Sequence, residues 1–550
     1  MGRMASRILS NFTNLITVSI LVFLSEFAFA TASITNTKNP HEAFLQCFLS
    51  HTCSNSTTQV IYTPDTSSYG TILRSSVQNL RYLSPSTTKP AFIIVPANPS
   101  HVQATVTCGK AHSLHVRTRS GGHDHEGLSY ASAGDPFVLL DLVNLRSVSV
   151  DASTSTAWVE AGATVGELYY GISIVTKNKT LAFPAATYPT VGVGGLFSGG
   201  GIGTLLRKYG TSADNIVDAL VVDANGNLLT RKTMGEDLFW AIRGGGASSF
   251  CIVISYKIRL VYVPSTVAVF RVDRDLSQGV TKVVERWQHV APKLDDNFFV
   301  RLLTMAINDN VGGKVNRTIR AWIEGLFLGS RCGDLLSILE KRFPELRVEA
   351  KDCTEMSWLQ STLFFAQGYS VDNPSQLLDR RPQRNSSTKA KSDFVKKPIT
   401  EKGWERIWKL LLEAKDQRVG LILEPWGGRM EEIPEDAVAF PHRKGNLYNL
   451  QYFMRWFETE EAATRMHLKW MRKLYRFMTP YVSKNPRAAY LNMKDLDLGR
   501  NDEGKTSYAK ASVWGRKYFL NNFERLARVK ARVDPDDYFW NEQSIPPLFA

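Results

Sequence analysis

Arg117-Thr-Arg-Ser-Gly-Gly-His-Asp-His-Glu-Gly127 ends an apolar run with a glycine-lined turn and sets a histidine inside it. Glycines at 121 and 122 tolerate positive φ and let another chain or a ligand approach bare backbone. Their unshielded N–H groups can form a concavity for a pyrophosphate. A second glycine loop follows at Gly192-Val-Gly-Gly-Leu-Phe-Ser-Gly-Gly-Gly-Ile-Gly203, and a third at Arg243-Gly-Gly-Gly246. Any one of these could be a plain turn, but three in succession point to one long dinucleotide threaded past several turns. None has the GxGxxG spacing between a strand and a helix, so a Rossmann domain is not implied.

The rest of the chain bounds the setting. Its 550 residues, 43% apolar, exceed one ordinary core and predict two domains. Arg3 and Arg7 precede an apolar run from Leu15 to Leu24, followed by small residues at Ala28, Ala30 and Ala32, which reads as a secretory signal over 1–32. Glu26 interrupts the run short of a membrane span, and no later segment reaches that length, so no membrane partner is expected. Sequons at Asn55, Asn178, Asn316 and Asn385 fit that route. The net charge of +14 is spread along the chain without a dense basic tract, which argues against nucleic acid and for a basic protein of the vacuole or cell wall. The six cysteines include no CxxC pair, and no metal site is expected.

From Pro90 to Tyr262, short β-branched runs alternate with helical segments: strands at 91–95, 115–119 and 137–141, and a capped helix over 100–110. From Val263 onward, strand candidates at 298–305, 315–328, 420–424 and 446–457 alternate with amphipathic helices near 276–289, 332–343, 404–414 and 460–477. That is a sheet with helices on one face. The polar, basic stretch 372–397 reads as a surface loop.

Seven segments carry a resemblance: RTRSGGHDHEGLSY (117–130), PTVGVGGLFSGGGIG (189–203), RKYGTSADNIVDA (207–219), MGEDLFWAIRGGG (234–246), PHRKGNLYNLQY (441–452), YLNMKDLDLG (490–499) and NEQSIPPL (541–548). The chain resembles, over nearly its whole mature length, the berberine bridge enzyme-like flavoproteins of plants, in the vanillyl-alcohol oxidase superfamily. The resemblance implies an α+β fold: a PCMH-type, two-subdomain FAD-binding domain at 33–262, a substrate domain with a helix-covered antiparallel sheet at 263–490, and a 491–550 segment that returns to the FAD domain. It implies FAD linked covalently through His123 alone, because Tyr188 stands where a second, thioether-forming cysteine would be. It pairs Cys47 with Cys108, and Cys332 with Cys353 is a candidate second bridge.

Cofactor contacts are expected from Arg119, Ser120, Gly121, Gly122, Asp124, Thr190, Val191, Gly192, Gly194, Gly195, Ser198, Gly199, Gly200, Gly203 and Asn541, with Arg119 to Gly122 and Gly199 to Gly201 at the pyrophosphate. The catalytic pattern departs from the family. Met493, in Tyr490-Leu-Asn-Met493, replaces a tyrosine that helps deprotonate substrate, and a thioether cannot act as a base. Asn449 replaces a lysine or glutamate, while Gln451 is retained; alternation puts Asn449, Gln451 and Phe453 on one strand face. His125 is a new titratable group beside the attachment turn and a candidate base. Gln451, Asn449 and Tyr188 join it as catalytic candidates, Tyr188 by hydrogen-bonding substrate; Tyr490, Met493 and Arg301 are candidate substrate contacts, the last an anchor for a phenolate or carboxylate. The reading is a secreted, monomeric oxidase that passes hydride from a small aromatic, prenylated or alkaloid-like metabolite to flavin N5. Dioxygen then reoxidises the flavin past Val191. The alternative is a non-redox cycloaddition in the same pocket, which needs proximity rather than a strong base.

Overall fold

The computed structural model describes residues 40–549 except 53–59, 133, 135, 177–179, 312–313, 382–385, 415–417 and 503–505. The signal segment and the sequons at Asn55, Asn178 and Asn385 lie outside the described residues, whereas Asn316 is exposed. The fold is α+β. Parallel pairing joins Phe92–Ile94, Phe137–Asp141 and His115–Arg119, with Ile61–Tyr62 added antiparallel at one edge. The helix Pro99–Ala111 crosses between them and is capped by Asn98, whose side chain accepts from the His101 amide. A five-stranded antiparallel sheet follows, ordered Val148–Asp151, Thr156–Glu160, Ile252–Arg259, Ile216–Val222, Leu228–Thr230.

The third sheet has seven antiparallel strands, in the order Cys353–Met356, Val267–Asp275, Lys314–Phe327, Phe298–Val311, Arg418–Pro425, Tyr448–Trp456, Ser387–Val395. Alternation gives it two different faces. Val300, Leu302, Leu421, Leu423, Leu450 and Tyr452 pack with residues of the helices Val280–Val290, Glu401–Leu412 and Glu461–Phe477. The intervening residues face the other way, towards the glycine loops.

One apolar core gathers residues between Phe44 and Val269 and from Ala489 to Ile545, and also takes in Phe299, Leu326, Met356, Trp358, Leu377 and Ala439; a second gathers residues between Ala268 and Val482. The terminal segment is tied to the first glycine strand by Arg117, which forms a two-pronged ion pair with Glu542 at 3.0 and 3.1 Å. Cys47 and Cys108 form a disulfide, as do Cys332 and Cys353. Among the described residues, the one cluster with metal-ligand spacing is Cys47, His51 and Cys108, whose two sulfurs are bonded to each other.

The stretch expected to be a surface loop is in part the fully buried edge strand Ser387–Val395. Its lysines misled the reading, because Lys389 and Lys391 are buried against acids from elsewhere in the chain. Lys389 Nζ meets Glu126 and Asp495, and Lys391 Nζ meets Asp495 at 2.5 Å and Asp497 at 2.7 Å.

Candidate active site

The strand His115–Arg119 delivers the first glycine turn. Arg119 is fully buried, paired with Asp141 at 2.5 Å and bonded to the carbonyls of Leu73 and Ile72. That corrects the expectation of a pyrophosphate contact: its charge is spent inside the protein, where it anchors the turn. Gly122 holds φ +68°, and Gly121 lies so close to the second loop that a Cβ there would sit 2.3 Å from the Gly192 nitrogen. The two glycine loops therefore close on each other without side chains between them.

Beside this contact runs a groove of about 210 Å³, lined by Ser120, Gly121, Gly122, Gly192, Gly194, Gly195, Ser198 and Gly246. The residues present fit a dinucleotide. The wall is bare backbone, a side chain at Gly195 would project into open space, and the buried Ser129 hydroxyl on the groove wall lacks a partner among the described residues. Three expected glycine contacts are corrected. Gly199, Gly200 and Gly203 pack against Asn492, Phe440 and the Ala185 carbonyl and do not line the groove. Asn541 also lies off it, capping its own turn by accepting from the Gln543 amide. Thr190 contributes indirectly: its hydroxyl is 2.8 Å from His123 Nε2.

A second cavity, of about 270 Å³, meets the groove at a seam formed by His123, Asp124, His125, Val191, Leu196 and Asn492. Tyr188 stands at this seam, its ring edge-on to His123 with centroids 5.8 Å apart. Burial raises the Asp124 carboxyl above its ordinary value, opposed by Lys494 and the Glu126 amide. Lys494 lines the groove and is itself lowered by burial. His125 is half-buried, and its carbonyl accepts from Asn79.

The floor of the second cavity is the open face of the seven-stranded sheet, carrying Arg301, Leu303, Ile422, Glu424, Gln451 and Phe453. Arg301 is buried and points inward as expected, but its guanidinium is held by Glu324 at 2.7 Å, Thr187 at 3.1 Å and the Phe365 carbonyl at 2.6 Å. Glu324 also pairs with Arg271 at 2.7 Å, so Arg301 shares its counter-charge. Gln451 donates to Glu424 at 2.9 Å. Asn449 shares the strand face but lies beyond the cavity wall, bonded to the Asp393 carbonyl. That corrects its expected place among the catalytic residues. Met493 and Tyr490 line the cavity, and the Tyr490 hydroxyl accepts from the Gly201 amide and from Asn492. Asn492, Glu424 and Lys494 were not singled out from the sequence. Asn492 and Lys494 sit in a quoted motif beside Met493, but Glu424 carries no local signal.

Two glycine loops pressed together, a backbone-walled groove and a histidine at its mouth describe a flavin site, and known proteins agree. A family model described as "FAD binding domain" matches residues 90–231, and one described as "Berberine and berberine like" matches 489–546. Berberine bridge enzyme-like 27 of Arabidopsis thaliana is 47% identical over 529 residues, 95% of each chain. The chain belongs to the berberine bridge enzyme-like family. Tetrahydroberberine oxidase of Berberis wilsoniae is 46% identical over the full length of both chains. The solved structure of berberine bridge enzyme-like 28 of Arabidopsis thaliana superposes with a TM-score of 0.85 at 47% identity, covering 92% of this chain and all of that one. A grass pollen allergen with glucose dehydrogenase activity gives 0.86 at 42%, with the same coverage. This berberine bridge enzyme-like protein is an FAD-linked oxidoreductase with the PCMH-type architecture of its relatives.

Proposed function

We propose that this protein is an oxidase that carries FAD on His123 alone and oxidises a small aromatic, prenylated or alkaloid-like metabolite. The observation that carries the reading is the seam: His123 stands where the backbone-walled groove opens into the sheet-floored cavity. Bound there, the flavin supplies a hydride acceptor. Thr190 engages His123 Nε2, so attachment would use Nδ1. Cys251 also lines the groove, but burial pushes its thiol up, away from the thiolate a second bond would require. A division into a flavin unit of 33–262 with 491–550 and a substrate unit of 263–490 is supported by the second core, which lies within 268–482, while Phe299, Trp358 and Leu377 of the substrate unit pack into the first.

An apolar, aromatic substrate suits the walls, which include Tyr188, Ile202, Leu303, Phe365, Phe453 and Met493. The cavity shares Leu303, Gln367, Ile422 and Phe453 with an adjoining chamber of about 450 Å³ that adds Trp322, Phe364 and Tyr369. His125 and Gln451 orient the substrate, and Tyr188 walls it beside His123. Oxygen as the acceptor is supported by the relatives. The grass pollen allergen is a glucose dehydrogenase as wild type and a glucose oxidase as an isoleucine-to-valine variant, and this chain has Val191 beside the flavin site. The secretory route to the vacuole or cell wall stays part of the proposal; no helix among the described residues is long and apolar enough to cross a membrane.

Denaturing the holoprotein and mapping its peptides tests the attachment. Flavin should remain on the peptide containing His123, and flavin released to solution or found on Cys251 overturns it. Anaerobic bleaching with tetrahydroberberine and a panel of plant phenols, followed by recovery in air, tests the oxidase reading. A product with the mass of two joined substrates and no bleaching would favour cycloaddition.

A further inference from the structure

We propose that Glu424 takes the proton from the substrate's reacting O–H or N–H group, with Gln451 as the residue that positions it. The proposal rests on the redox reading above. Glu424 sits next to last in the strand Arg418–Pro425, on the same face as Ile422, and the neighbouring strand sets Gln451 opposite Ile422 and Asn449 opposite Glu424. Gln451 Nε2 donates to Glu424 Oε2 at 2.9 Å. Oε1 accepts no hydrogen bond among the described residues, although the side chain lines the cavity and is only 7% exposed. A carboxylate oxygen so placed has a lone pair directed at whatever the cavity holds.

The other titratable groups around the cavity are less suited to the task. Asp124 spends one oxygen on the Glu126 amide and is coupled to Lys494. The Tyr490 hydroxyl is pushed up by burial and further by Glu424, so it stays protonated. Tyr188, His123 and His125 stand across the cavity, at the flavin seam. Arg301 acts on Glu424 from the adjacent strand, and it shares Glu324 with Arg271; as a guanidinium it takes no proton. Burial raises Glu424 above the ordinary carboxylate range, with Arg301 and Gln451 pulling it back. The result is a carboxylate more basic than a surface glutamate's, which is what a general base needs.

The step balances for an alcohol. The C–H bond breaks and its electron pair leaves as hydride to flavin N5. The O–H bond breaks, its proton joins Glu424 Oε1, and the electrons left on oxygen complete C=O. The substrate is oxidised by two electrons and the flavin, the oxidant, is reduced by two; Glu424 then returns its proton to water.

Anaerobic bleaching of the holoenzyme with 4-hydroxybenzyl alcohol and with D-glucose, followed from pH 5 to 9, reads the step. Wild type should show a rate that rises with pH as Glu424 ionises. Glu424→Gln should be slower by about a hundredfold or more and lose that rise, with little change in the apparent dissociation constant, and Glu424→Asp should recover part of the rate. The infrared carboxyl band present in wild type and absent in Glu424→Gln reports the same proton without turnover. It should disappear at a pH above the ordinary glutamate value of about 4.3. Unchanged bleaching in Glu424→Gln, a retained pH rise, or a band that titrates at the ordinary value overturns the assignment while the oxidase reading stands. A wild-type flavin that neither alcohol nor tetrahydroberberine bleaches removes both readings, because Glu424 then has no proton to take.

Discussion

The groove beside His123 is made of bare backbone from two neighbouring loops, whereas the cavity beside Gln451 is floored by side chains from strands far apart in the chain. The first recognises a cofactor shared by a family and tolerates almost no change. The second presents a grid in which single side chains can be exchanged without disturbing the sheet, because the opposite face carries the packing. The departures from the family pattern are therefore concentrated in the second region.

The largest effect is expected in the groove. Gly121→Ala would drive a Cβ to within 2.3 Å of Gly192, so the variant should purify without flavin, as read from its visible absorbance. A yellow Gly121→Ala protein would break the contrast between a rigid and a variable region.

The ion cluster that joins the regions comes next. Glu126 belongs to the flavin turn, Lys389 to the sheet edge and Asp495 to the terminal segment, and all are buried. Lys389→Met leaves Glu126 to Arg81 and Asp495 to Lys391, each short of one buried partner, and should cost at most about 3–5 kcal/mol in denaturant unfolding. Burial pushes Glu126 up, but Lys389 and Arg81 more than offset it and hold it at about 2. A depressed carboxylate stabilises the folded state above its unfolded value and loses that contribution as pH falls through the folded one. Wild type should accordingly lose stability between about pH 4.5 and 2 more steeply than Glu126→Gln. Parallel acid titrations of the two proteins would remove this cluster as the hinge of the comparison.

Smaller effects belong to the cavity. His125→Ala, read here as losing substrate orientation, should lower the bleaching rate by about threefold to tenfold, the worth of one hydrogen bond. A loss of a hundredfold would instead give His125 the proton-accepting role. Val191→Leu should slow reoxidation in air more than it slows anaerobic reduction, and equal slowing of both would deny Val191 a part in oxygen access.

Much of the flavin region was legible because its signals are local. The turn at 117–127, the loop at 192–203 and the strand His115–Arg119 are each contiguous, and glycine has few reasons to recur so densely. Even there, contact could not be read from composition. Arg119 and Gly199 belong to the same motifs as Ser120 and Ser198 yet serve internal packing, because which side of a loop meets the ligand depends on the element behind it. Charged segments misled for a related reason. Lys389 and Lys391 look solvated in isolation, and only the acids arriving from residues 126, 495 and 497 make their burial tolerable.

By itself, the amino-acid sequence determined the α+β class, the glycine-lined cofactor turn and the histidine within it, since these rest on patterns along the chain, whereas the Cys47–Cys108 pair came from the family resemblance. Only the tertiary structure decided that Glu424 meets Gln451, that Arg301 pairs with Glu324, and that Asn449 stands behind the cavity wall. Strand register and order set those contacts, and register is a property of paired strands that no single segment carries.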